Sequence, residues 1–202
     1  MAQGSALVPI PLEPLDEPTS VLSIEVDARE SGVTRPAPFN ASATMRGDAA
    51  WRLKQILDGV PVADREEAQH QFWRSIYRNL QIDEADMLFD DTRGTVVLSA
   101  SGTITLEWDE DHRTYEPHAM VMAFRTDLSR PRGADASAPY QVEFPAYTRA
   151  IETIRLPVQR SFSLFTVVGA DVDQVVGGIH YLRKARVQDH SFIAERSHRS
   201  VA

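Results

Sequence analysis

The sequence predicts a β-rich α+β protein, in which an antiparallel sheet or sandwich carries a two-helix insertion. Two observations predict this fold class. Short segments in which apolar and polar residues alternate, which is the period of a β-strand, recur along most of the chain. Between them, residues 48–80 place apolar residues every three or four positions, as two amphipathic helices do.

The chain of 202 residues, 43% of them hydrophobic and 25% charged, has an ordinary globular composition. Its length suits one large domain or two small ones. We divide it into a Pro-rich lead-in linker (1–20), a β-α-α-β-hairpin module (21–125), a loop (126–139) and an antiparallel strand module (140–202).

Charge and cysteine content exclude several function classes. The net charge of −8 disfavours nucleic-acid binding. The basic residues after Gly177 indicate a solvated strand face rather than a polyanion site. The absence of cysteine removes thiolate nucleophiles, disulfides and Cys-ligated zinc. No apolar stretch is long enough to span a membrane, and the N-terminus does not read as a signal peptide.

The two helices have recognisable ends. Asp48 is a candidate cap for the first, and Gly59 to Pro61 should end it. Asp64 and Glu67 form a capping-box pattern for the second. The second helix should bury a stripe formed by Ala68, Phe72, Ile76 and Leu80, flanked by Trp73 and Tyr77. We interpret this stripe as a core face rather than a ligand groove.

Strands are predicted on either side of the helices by their period of two. Their expected ranges are Val21–Asp27, Ala41–Arg46, Ile82–Phe89, Tyr140–Phe144, Thr148–Leu156, Ser161–Val168, Gly177–Asp189 and Ser191–His198. The strands after residue 140 should extend the first sheet or form a second layer.

The stretch Thr95–Phe124 predicts a long β-hairpin around which the other elements are arranged. Its first strand places Ile104, Leu106 and Trp108 on one face, where the second helix should pack. Gly102 in mid-strand indicates a bulge or a bend.

The turn of this hairpin contains the densest polar cluster, Asp109, Glu110, Asp111 and His112. Carboxylates at alternate positions suit Ca²⁺, but the twelve-residue loop pattern and its closing glutamate are missing. A charged, soluble turn is the favoured interpretation. Glu107 and Glu116 face each other across the hairpin in this prediction, where burial would raise a carboxyl pKa; exposed strand acids are the commoner case.

The other chemistry-bearing residues form no recognised motif. The histidines make no HExxH pattern; His180, His190 and His198 converge only if the last strands pair suitably. The serines lack a GxSxG elbow, and they include Ser161, Ser163, Ser191, Ser197 and Ser200. Gly177 and Gly178 precede a strand, so they predict a tight turn rather than a phosphate cradle. We therefore assign no catalytic, cofactor-binding or metal-binding residue.

Several segments together resemble the C-terminal β-rich region of bacterial transglutaminase-like proteins that carry an N-terminal domain of unknown function. They are SVLSIEVDARESGV, ATMRGDAAWRLKQIL, ASGTITLEW followed by RTYE, AIETIRLP, and GGIHYLRKARVQDHSFIAERSHRSV, and the likeness covers about residues 7–201. In that family a papain-like core with a Cys-His-Asp triad precedes the β-rich module. No triad residue carries over, because this chain has no cysteine.

The resemblance implies a non-catalytic accessory domain of a cell-envelope or periplasmic protein, whose partner is a transglutaminase-like core in cis or in trans. A second hypothesis is a free-standing module that binds a protein, peptide or glycan, with Trp108 and Tyr115 as the first place to look. A hydrolase that uses a histidine–carboxylate pair, built on His112 or His180, ranks last.

Overall fold

The computed structural model describes residues 15–77, 79–109, 111, 113–117, 147–157, 165–169, 171–176 and 178–201. Its strands are β1 (Ser20–Asp27), β2 (Ala37–Arg46), β3 (Leu80–Asp90), β4 (Thr95–Ile104), β5 (Trp108–Asp109), β6 (Thr114–Tyr115), β7 (Tyr147–Arg155), β8 (Val172–Val176), β9 (Ile179–Gln188) and β10 (Ser191–Ser200). Its α-helices are α1 (Asp48–Asp58) and α2 (Arg65–Ile76), separated by a 3₁₀ turn, Val62–Asp64.

Eight of these strands form one sheet in the order β3-β4-β2-β1-β7-β10-β9-β8. All neighbours are antiparallel except the central pair, β1 and β7, which run parallel. The predicted β-rich α+β class is confirmed, and the strands after residue 140 extend the first sheet. The central parallel pair joins two four-stranded antiparallel halves, which we call the N-terminal and C-terminal halves of the sheet.

One face of the sheet is apolar. This face continues across the central parallel pair, because residues paired between β1 and β7 lie on the same side of the sheet. On β1, Leu22, Ile24 and Val26 are buried, whereas the alternate residues are partly exposed. The opposite face is more polar; on it Ser23 and Ser42 hydrogen-bond across β1 and β2. One buried and one solvated face is the usual pattern of an antiparallel sheet.

The helices cover the apolar face of the N-terminal half. Trp73 of α2 is fully buried, and Tyr77, directly after the helix, is 4% exposed. The helix ends at Ile76, four residues earlier than its apolar stripe predicts, because Tyr77 is already extended. Leu80 therefore begins β3 instead of continuing the helix. Asp64 occupies the N-cap position of α2, but its side chain makes no capping hydrogen bond.

A bulge occurs at the predicted place, beside Gly102, but its extra residue, Asp83, lies on β3 rather than on β4. The register between β3 and β4 shifts from Ile82 to Glu84, opposite this glycine. Its φ of +154° lies in a region that other residues rarely adopt. The extra residue lets β3 bend, while β4 keeps an unbroken register with β2 on its other side.

The predicted long hairpin over Thr95–Phe124 is wrong in its pairing. Strand β4 hydrogen-bonds to β2 and β3, both of which precede it in the chain. The chain leaves the ladder after Ile104, and only two residue pairs, Trp108 with Tyr115 and Asp109 with Thr114, form the turn hairpin. The expected return strand, 120–124, lies outside the described residues. β4 is the second strand from one edge of the sheet. Its neighbours β3 and β2 occupy both of its edges, so no edge of β4 is left to pair with residues that follow the charged turn.

The C-terminal half contains three predicted strands and one that the sequence did not indicate. β7, β9 and β10 match their predicted ranges closely, and Gly178 forms the predicted turn between β8 and β9 with a φ of +79°. β8 was not predicted. Of the other expected strands, Tyr140–Phe144 lies outside the described residues, and the described part of Ser161–Val168 is not a strand. No helix among the described residues is long and apolar enough to cross a membrane.

Candidate functional site

A buried carboxyl lies at the centre of the sheet. Glu152 on β7 is 1% exposed and sits between Ile24 of β1 and Ala194 of β10 in the register. The hydroxyl of Tyr115 donates a hydrogen bond of 2.5 Å to its Oε1 atom. This contact anchors the small β5–β6 hairpin on the apolar face, next to the helical layer.

The surroundings of Glu152 are largely aromatic. Burial, together with the nearby carboxylate of Glu152, raises the pKa of both Tyr77 and Tyr115. Both phenols therefore stay protonated, and Tyr115 acts as a donor. The Tyr77 hydroxyl and the Trp73 Nε1 atom are buried and have no hydrogen-bond partner among the described residues. Because Glu152 is so deeply buried, this cluster is suited to holding the layers together rather than to reaching a substrate.

Replacing Tyr115 with phenylalanine should lower the free energy of unfolding by about 1–3 kcal/mol, because a buried carboxyl loses a donor. Urea denaturation measures this change. Tyr147→Phe is a matched control on β7, since the ring of Tyr147 lies under the Arg199 guanidinium and remains in the variant. Equal losses in the two variants would contradict a special role for the Tyr115–Glu152 bond.

An open groove lies on the same face, over the C-terminal half of the sheet. It has a volume of about 520 Å³, and β7, β8, β9 and β10 contribute its walls. Ala150 and Thr148 form a buried floor. Val172 and Val176 of β8 supply apolar walls towards the edge of the sheet. The groove thus occupies the part of the apolar face that lies beyond the helices and the β5–β6 hairpin.

Polar side chains cluster in the middle of this groove. Arg183 and Arg196 lie directly opposite each other on β9 and β10. The Thr148 hydroxyl is 2.8 Å from Nδ1 of His198. Burial lowers the pKa of His198, so this imidazole is neutral near pH 7 and offers hydrogen bonding rather than charge. The two arginines supply the positive charge of the groove.

The charged turn offers no assembled ligand set in the described part of the chain. Asp109 and Asp111 are exposed, and Glu110 and His112 lie outside the described residues. Among the residues that the structure describes, no three His, Asp or Glu side chains are grouped so that they could hold a metal ion.

The three C-terminal histidines do not converge. His198 lies in the groove opposite Tyr181 of β9. His180 is adjacent to Tyr181 in the chain, so its side chain faces the opposite side of the sheet. There His180 contacts Asp173 at 2.7 Å. His190 sits in the β9–β10 turn, at the far end of both strands. The histidine–carboxylate contact of His180 is thus separated from the groove by the sheet itself.

The serines show no nucleophile arrangement within the described ranges. Ser191, Ser197 and Ser200 lie on β10. Ser161 and Ser163 are outside the described residues.

The aromatic pair proposed as a ligand platform is engaged within the protein. Trp108 is partly buried and meets Phe165 edge-on, with ring centroids 6.2 Å apart. Tyr115 meets Phe192 in the same way and binds Glu152. Glu107 and Glu116, predicted to face each other, are both exposed, and Glu107 accepts a hydrogen bond from Asn79.

Sequence reasoning missed both Glu152 and the groove arginines. The pattern from Ala150 to Arg155 fits either face, because Ile151 and Thr153 on one side look as suitable for the core as Ala150 and Ile154 on the other. The excess of basic residues near the end of the chain was a clue, but a solvated strand face explained it equally well. The pairing of β9 with β10 is what brings Arg183 and Arg196 together.

Comparison with protein-family models, with curated proteins and with solved structures found no match to this chain.

Proposed function

We propose that this chain is a non-catalytic accessory domain of a transglutaminase-like cell-envelope protein, and that it contacts its partner through the groove of the C-terminal half-sheet. The observation that carries this proposal is the division of one apolar sheet face. Helices cover its N-terminal half, whereas an open groove of about 520 Å³ remains over the other half. A concave surface with apolar walls and a few polar groups is the usual form of a binding site.

The internal chemistry of the chain supports a binding role over a catalytic one. The buried carboxyl of Glu152 is engaged by Tyr115 and withdrawn from solvent. The His180–Asp173 contact lies on the face opposite the groove. In the groove itself, the described contact of His198 is with the Thr148 hydroxyl. The identity of the partner, a transglutaminase-like core, and the envelope location rest on the sequence resemblance.

This proposal predicts a stable complex between the chain and a transglutaminase-like core encoded in the same or an adjacent reading frame. The two proteins are expressed separately, mixed, and analysed by light scattering and by thermal melting of the core. We expect a one-to-one complex and a higher melting temperature of the core. If the core forms no complex, and its stability and activity are the same with and without this chain, the proposal is wrong.

A free-standing protein- or peptide-binding module is a second candidate, favoured by the edge strand β8. Val175 and Val176 are about 60% exposed. Within the described residues, no strand pairs with the outer edge of β8. An exposed apolar edge is a template for an added strand. Capture of a defined peptide without any transglutaminase-like core would favour this alternative.

A further inference from the structure

The two groove arginines lie side by side on neighbouring strands of the sheet. Arg183 and Arg196 are direct cross-strand partners in an antiparallel ladder, and their side chains leave the same face of the sheet. Side chains in such positions are neighbours, and like charges there destabilise the sheet. An anionic group bound between these two side chains would be attracted by both positive charges.

Arg196 has only a weak partner among the described residues. Its Nη2 atom donates to the carbonyl of Pro117 at 3.5 Å, the long limit of a hydrogen bond. None of the ion pairs among the described residues includes Arg196. The neighbouring arginine on β10, Arg199, instead stacks over Tyr147 on the opposite face. Arg196 is therefore the guanidinium that the fold leaves available to a ligand in the groove.

We propose that the groove binds an extended acidic peptide segment of a protein partner, with Arg196 as the anchor for a carboxylate side chain. A guanidinium binds a carboxylate through two parallel hydrogen bonds, which gives this contact direction as well as charge. Arg183 adds positive potential from the facing strand. This inference rests on the proposed function and specifies the chemistry of the segment that the groove receives.

The form of the groove favours a peptide over a small free anion. Val172 and Val176 wall the end nearest the sheet edge, while the arginines occupy its middle. A small anion would leave these apolar walls without a partner. An extended segment places alternate side chains on one face, so a carboxylate can meet Arg196 while apolar neighbours two residues away lie against the valines. The volume of about 520 Å³ accommodates several side chains.

The test uses the full chain and a fluorescent peptide of sequence SVSESVSV, in which valine and glutamate share one face of an extended strand. A second peptide has glutamine in place of glutamate. Fluorescence anisotropy at low salt measures both affinities. We expect the acidic peptide to bind at least about tenfold more tightly than the glutamine peptide, and added NaCl to weaken only the acidic peptide.

Two variants that each remove one positive charge from β10 distinguish binding in the groove from a general effect of the charge of this strand. Arg196→Gln should weaken binding of the acidic peptide by about tenfold to a hundredfold. Arg199→Gln, on the opposite face of the same strand, should leave its affinity unchanged. Arg196→Lys, which keeps the charge but loses the paired hydrogen bonds, should give an intermediate loss and serves in place of Arg196→Gln if that variant does not fold.

Several results would overturn the inference. They are equal binding of the two peptides, equal affinities of the Arg196 and Arg199 variants, and no binding of the acidic peptide up to about 1 mM. Displacement of the peptide by millimolar succinate or inorganic phosphate would instead identify a small-anion site and also overturn it. The proposed function and this inference can be tested separately. If the core binds the chain but Arg196→Gln leaves that complex intact, the inference is wrong while the proposed function stands.

Discussion

Replacing Trp73 with alanine is expected to lower the free energy of unfolding by about 3–5 kcal/mol, as truncation of a fully buried tryptophan usually does. Trp73 is 0% exposed, and its ring meets Phe72 edge-on with centroids 5.2 Å apart. It is the principal contact between α2 and the apolar face of the N-terminal half. Its removal opens a cavity where the helix meets the sheet, which the surrounding backbone can only partly close.

The matched control for this variant is Trp51→Ala. Trp51 of α1 is 44% exposed and contacts Phe89 at the edge of the sheet. Its truncation should cost about 1 kcal/mol, the order of a single aromatic pair. Guanidinium denaturation of both variants gives the comparison. If the two variants lose equal free energy of unfolding, Trp73 is not the main packing contact between α2 and the sheet.

Replacing Gly102 with alanine is expected to cost about 2–5 kcal/mol, from the strained backbone and from overpacking together. A Cβ atom there would lie 2.1 Å from the carbonyl oxygen of Gln81, an atom of the adjacent strand backbone. Backbone atoms of a paired strand cannot move aside as a flexible side chain can. The variant must therefore separate β3 from β4 at the bulge or unfold the edge of the sheet.

Gly32→Ala controls for backbone conformation alone. Gly32 has a φ of +74°, but a Cβ atom at that position would meet nothing within 4 Å. Its replacement should cost only about 1–2 kcal/mol. Urea denaturation of the two variants, with amide exchange of β3 residues, separates the effects. If Gly102→Ala is no less stable than Gly32→Ala and β3 amides stay protected, the close approach at the bulge is wrong.

Local signals were sufficient to predict the fold class and most element types. The period of two over Val21–Asp27 and the apolar stripe after residue 64 depend only on neighbours in the chain, and the corresponding strand and helix are present. Strand pairing was harder because it depends on long-range contacts. The charged turn after Trp108 suggested a hairpin, but β4 pairs with β2 and β3, whose combined ladder is far longer than two residues.

The candidate site depended on information that one strand does not carry. Which face of β7 is buried cannot be read from Ala150 to Arg155, because both alternating sets contain an apolar residue. The parallel partner β1 decides it by placing Ile24 opposite Glu152. β8 was missed because a five-residue edge strand, VDQVV, is short and interrupted by polar residues. Without β8, neither the edge nor the apolar wall of the groove was visible in the sequence.

Under the proposed function, the two halves of the sheet have different roles, one in stability and the other in binding. The N-terminal half buries Trp73, Phe39 and Leu98 between the sheet and the helices, and the Tyr115–Glu152 bond fastens the β5–β6 hairpin beside them. The C-terminal half holds its like-charged arginine pair next to an open surface. We therefore expect substitutions in the groove to change binding with little effect on folding, and substitutions under the helices to do the reverse.

The most direct measurement of the central claim is a hydrogen–deuterium exchange footprint of the chain with and without the proposed partner, a transglutaminase-like core. If the groove of the C-terminal half-sheet is the binding surface, slowed exchange should concentrate in β8, β9 and β10 and leave α1 and α2 unchanged. Protection confined to the helices, or no protection while the complex is present, would contradict the claim.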